Sequence, residues 1–183
     1  MLHSALEQIL PRVQKPARYV GGEWGSIQKN KNDVDLRFAF CFPDTYEKIL
    51  EEDQIDYMMD WMYSLPSLRQ QMQEGHQYYL VYEEEDPVGY ASFQQEDEDL
   101  FHLQKIYLLP EVQGSGLGSY LFKHIIREIK MLHPAPCRLE LNVNRQNKAV
   151  TFYEKMGMKK DRQGDFSIGE GFYMNDYIMT ISI

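Results

Sequence analysis

Ile106-Tyr107-Leu108-Leu109-Pro110 leads through Glu111 and Val112 into Gln113-Gly114-Ser115-Gly116-Leu117-Gly118, after which apolar residues recur at helical spacing through Leu121, Ile125, Ile126 and Ile129. The reading is a strand, a glycine turn and an amphipathic helix. In that arrangement the backbone N–H groups of the first helical turn lack intrahelical acceptors and, with the helix dipole, face an anion. Glycine permits positive φ and lets a ligand approach the backbone without a Cβ in the way. The stretch therefore predicts a phosphate-binding site.

Two well-known phosphate motifs fail on spacing. A P-loop requires G-x-x-x-x-G-K-[ST], and neither Lys nor Thr stands at the needed position. A dinucleotide fingerprint requires G-x-G-x-x-G after a first parallel strand, whereas Gly114, Gly116 and Gly118 are spaced G-x-G-x-G. The remaining pattern is Q/R-x-x-G-x-G, filled by Gln113, Gly116 and Gly118.

Upstream, Gln77 to Tyr82, Val88 to Gln94 and Leu100 to Leu109 are rich in aromatic and β-branched residues and are separated by turn residues, predicting an antiparallel meander. Downstream, the helix stops at His133-Pro134, Arg138 to Asn144 alternates as a strand, and Lys148 to Met156 forms a short helix with Gly157 as its cap. Phe172 to Ile183 reads as a final strand, with one more short strand around Lys160 to Ile168. Ile49 to Gln73 is helical in character, broken at Pro66, with Ile55, Met58, Met59, Met62 and Leu68 facing a core. Before it, Val34 to Pro43 reads as a strand, and residues 1–33 are loop-rich after a short opening helix. The expected organisation is an irregular extension over 1–33 and a single domain over 34–183.

A chain of 183 residues suits one domain with a substantial core. The formal net charge of −9 repels polyanions, and no basic patch overrides it, so nucleic acid is not an expected partner, whereas a cationic amine is well tolerated. The two cysteines, Cys41 and Cys137, form neither a disulfide framework nor a metal motif, which fits a reducing cytoplasm. No apolar run approaches a membrane span, and the first residues do not read as a secretion signal.

Together the strand into Pro110, the Gln113–Gly118 turn and the segment Asn144-Arg145-Gln146-Asn147-Lys148-Ala149-Val150-Thr151-Phe152-Tyr153-Glu154-Lys155-Met156-Gly157-Met158 resemble the GNAT superfamily, the GCN5-related N-acetyltransferases. Gly171 to Met179 resembles the terminal strand of several members, so the resemblance covers about residues 46–183. It implies an α/β (α+β) acyl-CoA N-acyltransferase fold, a mixed and mostly antiparallel central sheet flanked by helices. It also implies transfer of an acetyl group from acetyl-CoA, without a metal, to a primary amine of a small molecule or peptide.

By that resemblance, backbone groups of Ile106, Tyr107 and Leu108 pair with the pantetheine arm. Gln113, Gly114, Ser115, Gly116, Leu117, Gly118 and Ser119 cradle the pyrophosphate, and Asn144 and Asn147 lie towards pantetheine and adenosine. Tyr153 matches the phenol that bonds the thioester sulfur and protonates the leaving thiolate. Glu140, allowing for one inserted residue, and His102 match positions used as proton acceptors, with an ordered water as the alternative to either. A CoA-binding module with little or no turnover is the competing function, and oligomeric state, a homodimer included, stays open.

The first residues depart from the GNAT pattern. Val13 to Glu23 and Val34 to Glu47 resemble the opening of a B12-binding-type radical SAM protein family, over about residues 12–47, without the three-cysteine motif of radical SAM enzymes. The expectation is a fusion joined around Asp44-Thr45-Tyr46, with Leu36 to Phe42 replacing the missing first strand.

Overall fold

The computed structural model of the chain describes residues 27–29, 41–83 and 86–183. Apolar alternation dictates the strands, and seven of them form one sheet: β1 (Ile27–Lys29), β2 (Gln77–Glu83), β3 (Asp86–Asp97), β4 (Leu100–Leu108), β5 (Arg138–Asn144), β6 (Lys159–Gly169) and β7 (Phe172–Ser182). Their order across the sheet is β1-β2-β3-β4-β5-β7-β6, and every pair is antiparallel except β4 with β5. The meander, the mixed sheet and the additional strand before the last one are all present.

Helices α1 (Cys41–Tyr46), α2 (Glu52–Tyr63) and α3 (Leu65–Gln73) precede the meander; α4 (Leu117–Leu132) and α5 (Ala149–Lys155) come later in the chain. Glu52 and Asp53 in the first turn of α2 complement its dipole. Pro66 lies within the first two positions of α3, where its missing N–H costs nothing, so the helical stretch breaks at Ser64. Because successive strand residues face opposite ways, the sheet carries two cores. Leu121, Phe122, Ile125 and Ile129 of α4 pack with Leu139, Leu141 and Val143 on one face, while Phe42, Tyr46, Met58 and Tyr63 pack with Leu80, Tyr90 and Met174 on the other. The methionine stripe of α2 is core, as its spacing predicts.

Two irregularities in β4 position everything that follows. The parallel pairing with β5 covers only Leu100 with Arg138, Phe101 with Leu139 and His102 with Glu140; beyond it the two strands diverge. Next to the divergence, Ser92 pairs with Lys105 and Phe93 with Leu103, which leaves Gln104 as an extra, bulged residue on β4. A one-residue insertion exchanges the faces of all later side chains. Phe101 and Leu103 therefore point to the α4 core before the bulge, and Ile106 and Leu108 after it, while Lys105 lies against the Tyr63 and Tyr78 rings and Tyr107 joins the α1–α2 core.

The first strand differs from expectation. Cys41 and Phe42 belong to helix α1 rather than to a strand running into Pro43. The Phe42 ring is buried 4.6 Å from Tyr46 and 5.3 Å from Tyr63, an aromatic cluster that outweighs the β propensity of the stretch. Residues 34–40 lie outside the described residues, as does most of the radical SAM-like segment over 12–47 and the opening helix read in 1–33. The outer edge of β2 is instead covered by Ile27–Lys29, from the stretch read as loop. No helix among the described residues is long and apolar enough to cross a membrane.

Candidate functional site

Where β4 and β5 separate, the edge of β4 that faces β5 has no strand partner beyond His102, and a cavity of about 510 Å³ opens there. Ile106, Tyr107 and Leu108 form one wall, the glycine turn a second, and Asn147, Phe152 and Tyr153 from the α5 region a third. Tyr46 and Thr45 from α1 close the remaining side.

The turn is held by its own hydrogen bonds. Gln113 donates from Nε2 to the Leu108 carbonyl at 2.9 Å, and Ser115 Oγ donates to the Val112 carbonyl at 2.5 Å. Gly114 has φ 77° and Gly116, the residue capping α4, has φ 95°, conformations that a Cβ disfavours. The first α-helical bond of α4 runs from the Tyr120 N–H to the Gly116 carbonyl, and the Leu117 N–H donates to Ser115 Oγ at 3.4 Å, which leaves the Gly118 and Ser119 N–H groups without an intrahelical acceptor. Gln113, Gly114, Gly116, Gly118 and Ser119 line the cavity; Ser115 and Leu117 do not, the latter being buried in the α4 core. A bare backbone cradle at the end of an open strand edge fits a phosphate-bearing, extended ligand such as acetyl-CoA.

Of the two asparagines, Asn147 lines the cavity and its Oδ1 accepts from the Ala149 N–H at 2.8 Å. Asn144 is buried, accepts from the Gln146 N–H at 2.9 Å, and is not part of the cavity wall. Both asparagines thus shape the loop into α5; Asn147 alone is placed to touch a ligand.

Tyr153 is buried on the cavity wall. Burial above all, and then the nearby Tyr46 phenol, push its hydroxyl well above the ordinary range, so that it stays protonated and able to donate. Phe152 also lines the cavity, edge to face with Tyr153 and with ring centroids 5.2 Å apart. Tyr46 hydrogen-bonds Tyr107 and Asn147, and its hydroxyl too is raised, chiefly by burial. Nothing in the local sequence around Thr45-Tyr46, the last residues of α1, marks it as part of a binding site.

Glu140 and His102 come together, but away from the cavity. His102 Nδ1 lies 3.7 Å from Glu140 and 3.6 Å from Glu96, and neither Glu140 nor His102 lines the cavity. Glu140 is already engaged by Arg162 at 3.2 Å and by Arg138 at 3.8 Å. Contact with His102 in turn holds the Glu96 carboxyl below its ordinary range. One ligating atom from each of Glu96, His102 and Glu140 lies within 4.8 Å of the others, yet the two guanidinium groups already supply positive charge to Glu140.

A different carboxyl sits beside the cavity. Asp176 on β7 is 4% exposed, its Oδ1 has no hydrogen-bond partner, and its Oδ2 lies 3.5 Å from Nδ2 of Asn142, a residue of the cavity wall. Burial raises the Asp176 carboxyl to about 6, more than Asn142 and Arg145 lower it. Sequence reasoning passed over both residues, although an acid between Met174 and Ile178, two apolar positions at the same strand period, is a detectable anomaly.

Residues 48–180 match the family model described as an acetyltransferase (GNAT) domain. The chain is 36% identical over 80 residues to a peptidyl-lysine N-acetyltransferase, YjaB, of Salmonella typhimurium, covering 43% of this chain and 47% of that protein. It is 33% identical over 94 residues to an uncharacterised N-acetyltransferase of Mycobacterium tuberculosis, covering 51% of this chain and 58% of that protein. The chain thus spans about half the length of these curated relatives. Among solved structures, the PaiA N-acetyltransferase of Thermoplasma acidophilum in complex with coenzyme A superposes with a TM-score of 0.67 at 24% identity, covering 86% of this chain and 99% of that one. The splayed β4–β5 pair, the glycine turn capping α4 and the family match over 48–180 lead to one conclusion: the chain belongs to the GNAT acetyltransferase family.

Proposed function

We propose that the protein is an acetyl-CoA-dependent N-acetyltransferase acting, without a metal, on a primary amine of a small molecule or peptide. One observation carries the reading: the unpaired edge of β4, the outward N–H groups of the α4 turn and the buried Tyr153 phenol converge on a single cavity. When bound, acetyl-CoA supplies the acetyl group, so that a C–N bond forms as the C–S bond breaks, the amine losing a proton and the sulfur gaining one. The exposed backbone of Ile106 to Leu108 holds the pantetheine amides, and the turn from Gln113 to Ser119 holds the pyrophosphate. Tyr153, kept protonated by burial, delivers its proton to the thiolate. The similarity to a peptidyl-lysine N-acetyltransferase supports an amine acceptor. The domain comprises residues 34–183, with Ile27–Lys29 added at its edge, and works in the cytoplasm.

A CoA-binding module without turnover is the second reading, favoured by the distance of Glu140 and His102 from the cavity wall. Titration of acetyl-CoA by calorimetry, followed by thiol release with a panel of amines, separates the two. Binding with amine-dependent thiol release is expected; binding alone supports the module, and absence of binding removes both.

A further inference from the structure

Asn142, on the cavity wall, and Asp176, beneath it, have no role in the cofactor contacts or proton transfers assigned so far. β5 and β7 are antiparallel neighbours, with Asn144 opposite Asp176 and Asn142 opposite Ile178. Asn142 and Asp176 are thus diagonal neighbours on one face of the sheet, the face against which α1 brings Tyr46. Asn142 is exposed and reaches the cavity; Asp176 is covered.

An ionised carboxylate can only accept, so the end of Asn142 that meets Asp176 must be its NH₂ group. The amide is planar, and fixing its donor end at the sheet turns its carbonyl oxygen to the opposite side. The cavity then presents an acceptor, suited to an N–H and unsuited to an incoming carbonyl. We propose that Asn142 is the residue that receives an N–H of the acceptor amine, and that Asp176 is a positioning residue that fixes the direction of the Asn142 amide. This rests on the N-acetyltransferase reading and adds the amine subsite to it.

Protonation reverses the arrangement. A neutral Asp176 carries an O–H that donates to Asn142 Oδ1, and the amide then turns its NH₂ group to the cavity, repelling an amine. Asp176 changes state within reach of working pH, since burial holds it at about 6. Burial sets that value, partly offset by Asn142 from β5 and by Arg145 in the loop after β5; Asn144 on β5 and Gly164 on β6 pair with Asp176 across the sheet, and the Tyr46 phenol of α1 lies near it. The Arg145 guanidinium is itself engaged by Asp165, so the positive charge nearest Asp176 is already partly neutralised.

The test uses the full chain loaded with CoA and a peptide carrying a single lysine, with amine affinity read by calorimetry between pH 5 and pH 8. Wild-type affinity is expected to fall about tenfold as the pH drops through 6, a 1.4 kcal/mol change. Asn142→Ala should weaken the amine about tenfold at pH 8 while leaving CoA affinity within twofold, and Asp176→Asn should abolish the change at pH 6. Carbon-13 NMR of the aspartate carboxyls, assigned with Asp176→Asn, gives an independent readout that needs neither binding nor turnover. An Asp176 signal titrating in the ordinary carboxylate range overturns the proposal, as does an Asn142→Ala protein with unchanged amine affinity. If the amine binds as expected but acetyl-CoA gives no thiol release, the subsite stands and the transferase reading falls. If thiol is released but the amine's KM is insensitive to both substitutions, the transferase stands and the subsite falls.

Discussion

The two ends of the β4–β5 pair carry similar residue types in opposite states. At the paired end, Glu140 is buried and faces His102, Arg138 and Arg162, so its charge is met on several sides. At the divergent end, Asp176 on β7 is equally buried but has one oxygen without a hydrogen-bond partner, and its other oxygen meets the Asn142 amide at 3.5 Å, with Arg145 contributing charge from farther off. A carboxylate neutralised by arginine joins strands and has little left to offer a substrate, whereas one left short of donors is costly to the fold and available to a ligand. The divergence of the strands makes the difference. With no parallel partner beyond His102, β4 leaves room that solvent or a ligand must fill.

Substitutions at the divergent end should act on chemistry and binding, those at the paired end on little but stability. The largest effect is expected for Tyr153→Phe, which keeps the ring and removes the hydroxyl proposed to protonate the thiolate, leaving Tyr46 and Tyr107 as the other phenols of the cavity wall. Steady-state assays should show kcat lowered about a hundredfold, the scale of a lost general acid, with acetyl-CoA affinity nearly unchanged. A kcat within threefold of wild type would remove Tyr153 from the chemistry.

Gly118→Ala comes next. A Cβ there meets Phe152 at 3.5 Å and Leu108 at 3.6 Å, ordinary contacts that the fold accommodates. If the turn holds the pyrophosphate as proposed, calorimetry should nonetheless show acetyl-CoA bound about tenfold more weakly, about 1.4 kcal/mol, because the added methyl group lines the same cavity. An unchanged affinity together with an unchanged Tm would place the phosphates elsewhere.

A smaller effect concerns stability and pH. Folding raises Asp176 to about 6 from an ordinary value near 3.8, so the folded state favours the protonated form. The stabilisation this gives is fully present below about 4 and is lost as pH rises through about 6. Asp176→Asn should therefore stabilise the protein by about 1 kcal/mol at pH 8, after allowance for solvent near the site, and by nothing at pH 3.5. Denaturant unfolding at the two pH values measures the difference, and a variant destabilised at pH 8 would contradict it. The smallest effect on catalysis belongs to Glu140→Gln, for which kcat and the amine KM should stay within about twofold. A hundredfold loss would return the role of base to Glu140.

Much of this molecule is visible along the chain because its signals are local. The meander, the break before Pro66 and the helix following Gly116 each depend on residues a few positions apart, and each is found where the pattern places it. Leu36 to Phe42 shows the limit of the same reasoning. Its run of alternating phenylalanines reads as a strand, yet Phe42 lies in α1 because the rings of Tyr46 and Tyr63 offer it a better contact than a sheet edge does. That information resides in Tyr63 and the sheet, not in the run itself.

The sequence by itself determined the element order from α2 onward, the glycine cradle at α4 and the family, since those follow from short-range periodicity, backbone freedom and motif spacing. The tertiary structure alone decided where β4 and β5 part, that Gln104 is the bulged residue, and that Glu140 is spoken for by arginines. It also brought together Asn142 and Asp176, 34 positions apart. Neighbours across a sheet are set by register, and register is fixed by the packing of both faces at once, a condition no single segment of the chain contains.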